Sequence, residues 1–160
     1  MIPRILVTGS REWDDVDRIK LALRLVREEP FFADAVLVHG GARGVDTIAA
    51  EAWDAMGGKV EPVKAKWGAC VAECPAGHRK SHKGRSWCPT AGHRRNEEMV
   101  RRGADLCLAF LRDNSRGTRD CIARADRAGI AVRVFDYDNP LTVAESAGIP
   151  TLRYPSDGAS

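Results

Sequence analysis

The stretch "AVLVHGGARGVDTIAAEAW", residues 35–53, contains the pattern that decides the fold. It starts with a short apolar run, passes through a glycine-rich turn, and continues with apolar residues at helical spacing: Val45, Ala49, Ala52 and Trp53. A short run rich in β-branched residues predicts a buried strand, and the longer period predicts a helix that packs one face against it. We therefore predict a strand, loop and helix unit of a parallel sheet.

Similar units occur on both sides of this stretch. Apolar runs at residues 4–8, 59–64, 104–110 and 130–135 predict four more strands, separated by helical patterns. Pro62 predicts that the third strand lies at an edge or ends early. Strands that alternate with helices form parallel sheets, so the predicted fold class is α/β: a single Rossmann-like domain with a mostly parallel sheet of about five strands flanked by helices. We predict this domain over residues 1–137, with an insert at residues 68–90 and a C-terminal extension at residues 138–160.

The composition narrows the class of protein. The 160 residues are 44% hydrophobic and 29% charged, as in ordinary globular domains. Charged residues and glycines interrupt every apolar run, and the first residues form a predicted strand instead of a leader, so we expect a cytoplasmic protein without a membrane partner. In a reducing compartment the five cysteines favour metal binding over disulfides. A net charge of +3 is too small to imply nucleic-acid binding by itself.

Three polar loops that contain glycine follow predicted strands. They are "TGSR" at residues 8–11, "HGGARGVD" at residues 39–46 and "LRDNSRGT" at residues 111–118. Parallel strands present their carboxyl ends at one edge of a sheet, where backbone amides and helix N-termini bind phosphate. Any one loop would serve equally well as a simple turn. Together they predict a nucleotide site, with phosphate-binding guanidinium groups from Arg11, Arg43, Arg95 and Arg116 and neutral donors from Ser10, Asn96 and Thr118.

An ordered series of motifs then resembles a known family. "RILVTGSREWDD", "LVHGGARGVDTIAAEAW", "AGHRRNEEMV", "ADLCLAF" and "SRGTRDCIARADRAGI" are together similar to the YspA/YpsA-related (DUF2493) members of the SLOG superfamily, found in phages and actinobacteria. The resemblance implies a Rossmann-like fold with a site for a nucleotide or nucleotide-derived ligand, in the cytoplasm of a bacterial cell or a phage-infected host. The positions that match its loops are Gly9, Ser10, Arg11, Gly40, Gly41, Gly44, Asp46, Arg95, Asn96, Gly117 and Thr118.

Two tryptophans also match aromatic positions of that family near the loops. Trp13 and Trp67 are candidates to stack on a base. Packing of the loop ends is the alternative role, because tryptophan is usually largely buried.

The superfamily contains the LOG phosphoribohydrolases and the DNA-processing protein DprA, and this chain departs from the LOG pattern. LOG enzymes resemble "PGGxGTxxE" at the last loop, whereas this sequence has Cys121 in place of the glutamate and Asp120 one residue early. A shift of one residue turns a helical side chain by about 100°. The catalytic residues are therefore unknown, with Asp120 and Asp46 as candidates for an enzyme.

The insert holds three cysteines and two histidines in a segment without apolar periodicity. Cys70, Cys74, His78 and Cys88 form a set of four thiol and imidazole groups, the number that a structural zinc site requires. His78 is preferred because its spacing of four from Cys74 can place both on one face of a turn. His82 is the rival fourth ligand, and the alternative to a metal site is an ordinary polar loop.

The leading functional hypothesis is the binding or sensing of a nucleotide-derived small molecule, with a structural zinc ordering the insert. One alternative is a phosphoribohydrolase-like enzyme that cleaves an N-glycosidic bond. The other is a DprA-like protein that binds nucleic acid, a partner less favoured here than a small molecule. The identity of the ligand and homo-oligomer formation stay open.

Overall fold

A computed structural model describes residues 1–140 and the backbone of residues 143–145. Eight strands, four α-helices and one 3-10 helix follow one another in these residues: β1 (Arg4–Gly9), α1 (Val16–Glu28), the 3-10 helix (Pro30–Phe32), β2 (Val36–His39), α2 (Val45–Ala55), β3 (Lys59–Pro62), β4 (Lys80–His82), β5 (Arg85–Trp87), α3 (Ala91–Arg101), β6 (Leu106–Leu111), α4 (Arg116–Arg127), β7 (Ala131–Asp136) and β8 (Val143–Glu145).

The main sheet has the strand order β3-β2-β1-β6-β7-β8. Its first five strands are parallel, and β8 pairs antiparallel with β7 at the edge. The chain moves outward from β1 to β3 and then returns to the other side of β1 at β6. This reversal creates a crevice at the carboxyl ends of β1 and β6, where ligands of such sheets bind. The predicted fold class, a mostly parallel Rossmann-like sheet flanked by helices, is confirmed.

The sheet separates two apolar layers because neighbouring residues of a strand face opposite sides. Ile5 and Val7 of β1 pack with α1 and α2 on one side. Leu6 packs with α3 and α4 on the other side, where Cys107 and Cys121 are fully buried. Both faces of the central strands are therefore covered, as their continuous apolar sequence predicts.

Polar side chains fix the starts of two helices. Asp15 caps α1 and accepts a hydrogen bond from the backbone N–H of Arg18 at 3.1 Å. Ser115 caps α4, and its Oγ accepts from the hydroxyl of Thr118 at 3.0 Å. Each cap accepts from a backbone N–H that the first helical turn leaves without a partner.

The structure differs from the sequence-based elements at three places. The insert contains a two-stranded hairpin, β4 and β5, closed by Lys83 and Gly84, both with positive φ. Helix α3 starts at Ala91, so the "AGHRRN" motif is helical and not a loop. Strand β8 adds an edge within the predicted extension. Apart from residues 138–140 and β8, the predicted extension falls on residues 141–142 and 146–160, which lie outside the described residues.

Pro62 is the last residue of β3, so the strand ends earlier than residue 64, and β3 lies at the edge of the sheet. The two alternatives predicted from this proline are both observed. Among the helices of the described residues, none combines the length and the apolar character needed to cross a bilayer.

Candidate functional site

A cavity of about 360 Å³ lies in the crevice at the carboxyl ends of β1 and β6. The ends of these two strands are tied together, because the N–H of Ser10 donates to the carbonyl of Phe110 at 2.9 Å. The loop after β1, the start of α4 and the first turns of α3 form its walls. The predicted ligand-binding residues that line it are Gly9, Ser10, Arg11, Asp46, Arg95, Asn96, Gly117 and Thr118.

The other predicted ligand-binding residues do not line this cavity. Arg43 is exposed and pairs with Glu12, with 3.1 Å between Nη2 and Oε1. Arg116 is the exposed first residue of α4. Gly40, Gly41 and Gly44 belong to the loop after β2, which contributes Ala42 but none of these glycines to the lining. The four predicted arginines therefore do not all converge, and only Arg11 and Arg95 reach the cavity.

Two of these glycines act by making room for other protein groups. A side chain on Gly40 would collide with the guanidinium group of Arg95. Gly44 has φ of +80°, and a Cβ there would lie 2.7 Å from the carbonyl oxygen of Arg11. Gly44 thus allows the loop after β2 to pack directly on the loop after β1, which any L-residue would prevent.

Arg95 is held in the cavity wall by neutral acceptors. Its Nε donates to Oδ1 of Asn96 at 2.9 Å, and its Nη1 donates to the carbonyl of Gly40. Within residues 1–140 no carboxylate forms an ion pair with it. The guanidinium is therefore fixed in place without an ion pair, although the buried Asp46 is near enough to interact with its charge.

Asp46 is the buried carboxylate of the cavity wall. It is 5% exposed, and its Oδ2 accepts from the backbone N–H groups of Gly40 at 3.0 Å and Ala42 at 3.2 Å. Burial raises the pKa of Asp46 to about 6, although both hydrogen bonds and the charge of Arg95 act in the opposite direction. The carboxylate thus fixes the conformation of the loop after β2, but its burial destabilises its ionised form.

Asp120 lies behind the wall and is fully engaged. Its Oδ2 accepts from Asn96 at 3.0 Å and from Arg124 at 2.9 Å, and its Oδ1 is 3.1 Å from Nδ1 of His93. Burial acts to raise the pKa of Asp120, but the hydrogen bonds from Arg124, Asn96 and His93 outweigh it and lower the pKa. Asp120 therefore orients Asn96, which also donates to the carbonyl of Gly117 at 3.2 Å.

The two tryptophans have different positions. Trp13 is 2% exposed and packs edge-on against Phe110 and Tyr137, with ring centroids 5.3 and 5.2 Å away, so it belongs to the core. Trp67 is 39% exposed and lines the cavity, with the guanidinium carbon of Arg11 6.0 Å from its ring centroid. Only Trp67 offers an accessible aromatic face.

Sequence reasoning missed several residues of the cavity wall: Glu12, Pro89, Gly92, His93, Arg112, Asp113 and Ser115. Arg112, Asp113 and Ser115 lie inside the predicted loop at residues 111–118, and Glu12 directly follows the predicted loop at residues 8–11. That position was their only signal in the sequence. Arg112 is held against the ring of Tyr137 at 3.9 Å and pairs with Asp14 at 3.1 Å.

The insert brings Cys70, Cys74, His78 and Cys88 together. Their ligand atoms all lie within 4.8 Å of one another. Nε2 of His78 is 3.2 Å from Sγ of Cys70 and 3.4 Å from Sγ of Cys88, and the sulfurs of Cys74 and Cys88 are 3.8 Å apart. This cluster could hold a metal ion. His82 lies in β4 and is not part of it.

Helix α3 contacts this cluster through its N-terminal turns. Nη1 of Arg94 lies 3.4 Å from Sγ of Cys74 and 3.3 Å from Sγ of Cys88, and donates to Oγ1 of Thr90 at 2.9 Å. Burial opposes ionisation of Cys88, but hydrogen bonds from Thr90 and Arg94 outweigh it and lower the pKa of this thiol to about 5. A thiolate, the form that binds metals, is thereby favoured at neutral pH.

Comparisons with known proteins agree with this architecture. The model of the "YspA, cpYpsA-related SLOG family" matches residues 3–69. Gene 61 protein of Mycobacterium phage D29 is 42% identical over 133 residues, which are 82% of this chain and 95% of that protein.

Two solved structures share the fold. One is DNA processing protein A (DprA) from Streptococcus pneumoniae, with a TM-score of 0.58 and 20% identity over 84% of this chain. The other is DNA processing protein A from Helicobacter pylori, described for its single-stranded DNA binding mode, with a TM-score of 0.55 and 19% identity over 82% of this chain. The chain spans only 50% and 64% of these two proteins. At such identities the likeness concerns the fold alone. The family match and the phage relative, together with this fold, show that the chain belongs to the YspA, cpYpsA-related SLOG family.

Proposed function

We propose that the protein binds a nucleotide or a nucleotide-derived small molecule in the cavity at the ends of β1 and β6. The observation that carries this proposal is Arg95, a guanidinium held by neutral acceptors with its charge not neutralised by an ion pair. The N-terminal turn of α4 forms another wall, and its backbone dipole favours an anion at Gly117 and Thr118. A phosphate between these two walls would meet positive charge from both sides.

Trp67 and the size of the cavity support a nucleotide over a simple anion. A volume of about 360 Å³ exceeds what one phosphate needs and is within the range of about 300 to 1,000 Å³ of small-molecule sites. The exposed ring of Trp67 can stack on a base of any kind, because every base has a π-face. Sensing or sequestration of such a ligand is the function that follows.

The test is a calorimetric screen of mono-, di- and cyclic nucleotides, NAD and ADP-ribose. We expect at least one to bind, and Arg95→Ala to weaken that binding by about 1.5 to 3 kcal/mol, the scale of a charge-assisted hydrogen bond. Arg11→Ala should weaken it in the same direction. Arg119→Ala, at an exposed position of α4 away from the cavity, is the control with the same loss of charge. A screen without any ligand, or equal losses in Arg95→Ala and Arg119→Ala, would count against the proposal.

The second part of the proposal is a structural zinc ion in the cluster of Cys70, Cys74, His78 and Cys88. In a tetrahedral zinc site the bond lengths predict sulfur pairs about 3.8 Å apart and sulfur–nitrogen pairs about 3.5 Å apart. In the structure the sulfurs of Cys74 and Cys88 are 3.8 Å apart, and Nε2 of His78 lies 3.2 and 3.4 Å from the sulfurs of Cys70 and Cys88, close to these values. Four protein ligands leave no open position, which favours a structural over a catalytic ion.

Cleavage of an N-glycosidic bond is a second candidate function, favoured by one observation: Asp46, with a raised pKa, lines the cavity. We nevertheless expect little or no release of free base from AMP or CMP. Cleavage develops positive charge on the ribose, which a free carboxylate would have to stabilise. Asp120 is engaged by three partners, Asp46 holds the glycine loop, and Cys121 is fully buried.

The assay is chromatographic detection of free base, run beside Asp46→Asn and Asp120→Asn. Turnover by the unmodified protein that is lost in either variant would show that the protein is an enzyme and would name its carboxylate.

A further inference from the structure

A second groove adjoins the nucleotide cavity on the far side of Arg95. Its volume is about 380 Å³, close to the 360 Å³ of the cavity itself, and Arg95 lines both. The segment after β3 forms one wall, with Lys64 and Lys66, and α3 forms the other. One fixed guanidinium thus stands between two spaces of nearly equal size.

Some of the basic side chains that line this groove are paired with acidic groups, and others are not. Arg102 is paired with Glu98 at 2.8 Å and with Glu61 at 3.1 Å, and Arg94 is directed to the thiols of the cluster. Glu98 is the single acidic residue among those lining the groove. Lys64 and Lys66, in contrast, form no ion pair or side-chain hydrogen bond with any residue of the described part of the chain.

Lys64 is close to Arg95, although both are cations. The stem of Lys64 runs along Gly41, at 3.4 Å from the position of a Cβ there, and Arg95 packs on the adjacent Gly40. Both side chains also act on the buried ring of His39 at the end of β2. Burial, then Arg95, then Lys64 lower the pKa of His39, which accepts from the N–H of Gly41 and stays neutral. The carboxylate of Asp46, bound to the N–H groups of Gly40 and Ala42, offsets part of the charge of Arg95. The repulsion that remains between Lys64 and Arg95 raises the local affinity for an anion.

We propose that this groove is a second subsite, so that the full ligand has two nucleoside-sized units joined by a bridging phosphate. One unit occupies the cavity beside Trp67, Arg95 binds the bridge, and the second unit lies in the groove, where Lys64 and Lys66 bind its anionic groups. This inference rests on the proposed nucleotide site and specifies the class of its ligand. The bridge is either a phosphodiester, as in a dinucleotide piece of a nucleic-acid strand, or a diphosphate, as in NAD.

The experiment compares AMP with two ligands of double size, the 5′-phosphorylated dinucleotide pApA and NAD, by calorimetry at low ionic strength. We expect one of the larger ligands to bind at least about tenfold more tightly than AMP, and the ligand with that advantage identifies the bridge. In the double variant Lys64→Gln/Lys66→Gln, the affinity for that larger ligand should fall by about tenfold. The affinity for AMP should stay within about twofold of that of the unmodified protein.

Lys59→Gln is the matched control, because Lys59 is an exposed lysine at the opposite, amino end of β3. It should leave all affinities unchanged. If AMP binds but neither larger ligand binds more tightly, or if the double variant weakens AMP and the larger ligands equally, the second subsite is wrong while the nucleotide cavity stands. If none of the three binds but another mononucleotide of the wider screen does, the second subsite is wrong while the nucleotide cavity stands. If no nucleotide of that screen binds, the nucleotide site and the second subsite are both wrong.

Discussion

Cys88→Ser is expected to abolish stoichiometric metal binding and to lower the melting temperature of the protein. Cys88 is 0% exposed and its sulfur lies within 4 Å of both Cys74 and His78, so it is the inner ligand of the cluster. Apart from Cys88, the residues of the insert from Gly68 to Thr90 are exposed or half-buried, and apolar packing cannot replace the metal. In small sites of this kind the metal-binding energy is folding energy, on the order of 10 kcal/mol. Elemental analysis should find about one zinc per chain in the unmodified protein and almost none in the variant.

The two histidines of the insert provide a matched pair of controls. His78→Ala should lose the metal, because its Nε2 lies between the sulfurs of Cys70 and Cys88. His82→Ala should keep the metal, because His82 is an exposed residue of β4 that lies opposite Arg85 of β5 in the hairpin. Metal retained in Cys88→Ser and His78→Ala, or lost in His82→Ala alone, would contradict the assigned ligand set.

Asp46→Asn is expected to remove a pH-dependent penalty from the stability of the fold. The pKa of Asp46 is raised from 3.8 to about 6 in the folded state, mainly by burial. The protonated form is therefore favoured by folding, and its contribution is complete below about pH 4 and is lost as the pH rises towards 6. Above that range the ionised carboxylate costs about 3 kcal/mol, since each unit of pKa shift corresponds to about 1.4 kcal/mol.

The measurement is the free energy of unfolding in urea for both proteins between pH 4 and 7. Asparagine does not titrate and can offer its Oδ1 to the same two loop amides, so the variant should gain about 2 kcal/mol relative to the unmodified protein over this range. Other ionisable groups are common to both proteins and cancel in the difference. Asp54→Asn makes the same charge change at an exposed position of α2 and should give a flat difference. A flat or falling difference for Asp46→Asn would show that the carboxylate is not desolvated.

The parallel sheet was predictable because its strands are buried on both faces. Such strands appear in the sequence as continuous apolar runs, and "ADLCLAF" at residues 104–110 indeed contains β6. The hairpin of β4 and β5 was not predictable in this way, since its strands are three residues long and almost wholly exposed. The sequence analysis counted Arg95 and Asn96 among loop positions, and Gly92 and His93 just before them have weak helix propensity. In the structure this motif forms the first turns of α3, where Arg94 contacts the insert.

The site was predictable as a location but not as a set of contacts. Loops that follow parallel strands must share one edge, and this put Ser10 and Thr118 near one another. Asn96, which lies in α3, was placed with them by the family resemblance. A glycine in such a loop can serve a ligand or another part of the chain, and the sequence is the same in both cases. Only the three-dimensional packing shows that Gly40 accommodates Arg95 and that Gly44 accommodates the neighbouring loop.

The insert leaves and rejoins the domain at a single point. The N–H of Cys88 donates to the carbonyl of Trp67 at 2.7 Å, so the chain returns to its place of departure after the excursion between these residues. The two ends of that excursion are therefore held together at the base of the crossover from β3 through α3 to β6. Lengthening a loop whose ends already meet adds little entropic cost, about 0.6 kcal/mol for each doubling. The junction at Trp67 and Cys88 is thus a place where segments of different length and chemistry can be exchanged in evolution or by design, each altering one wall of the cavity without disturbing the sheet that supports the others.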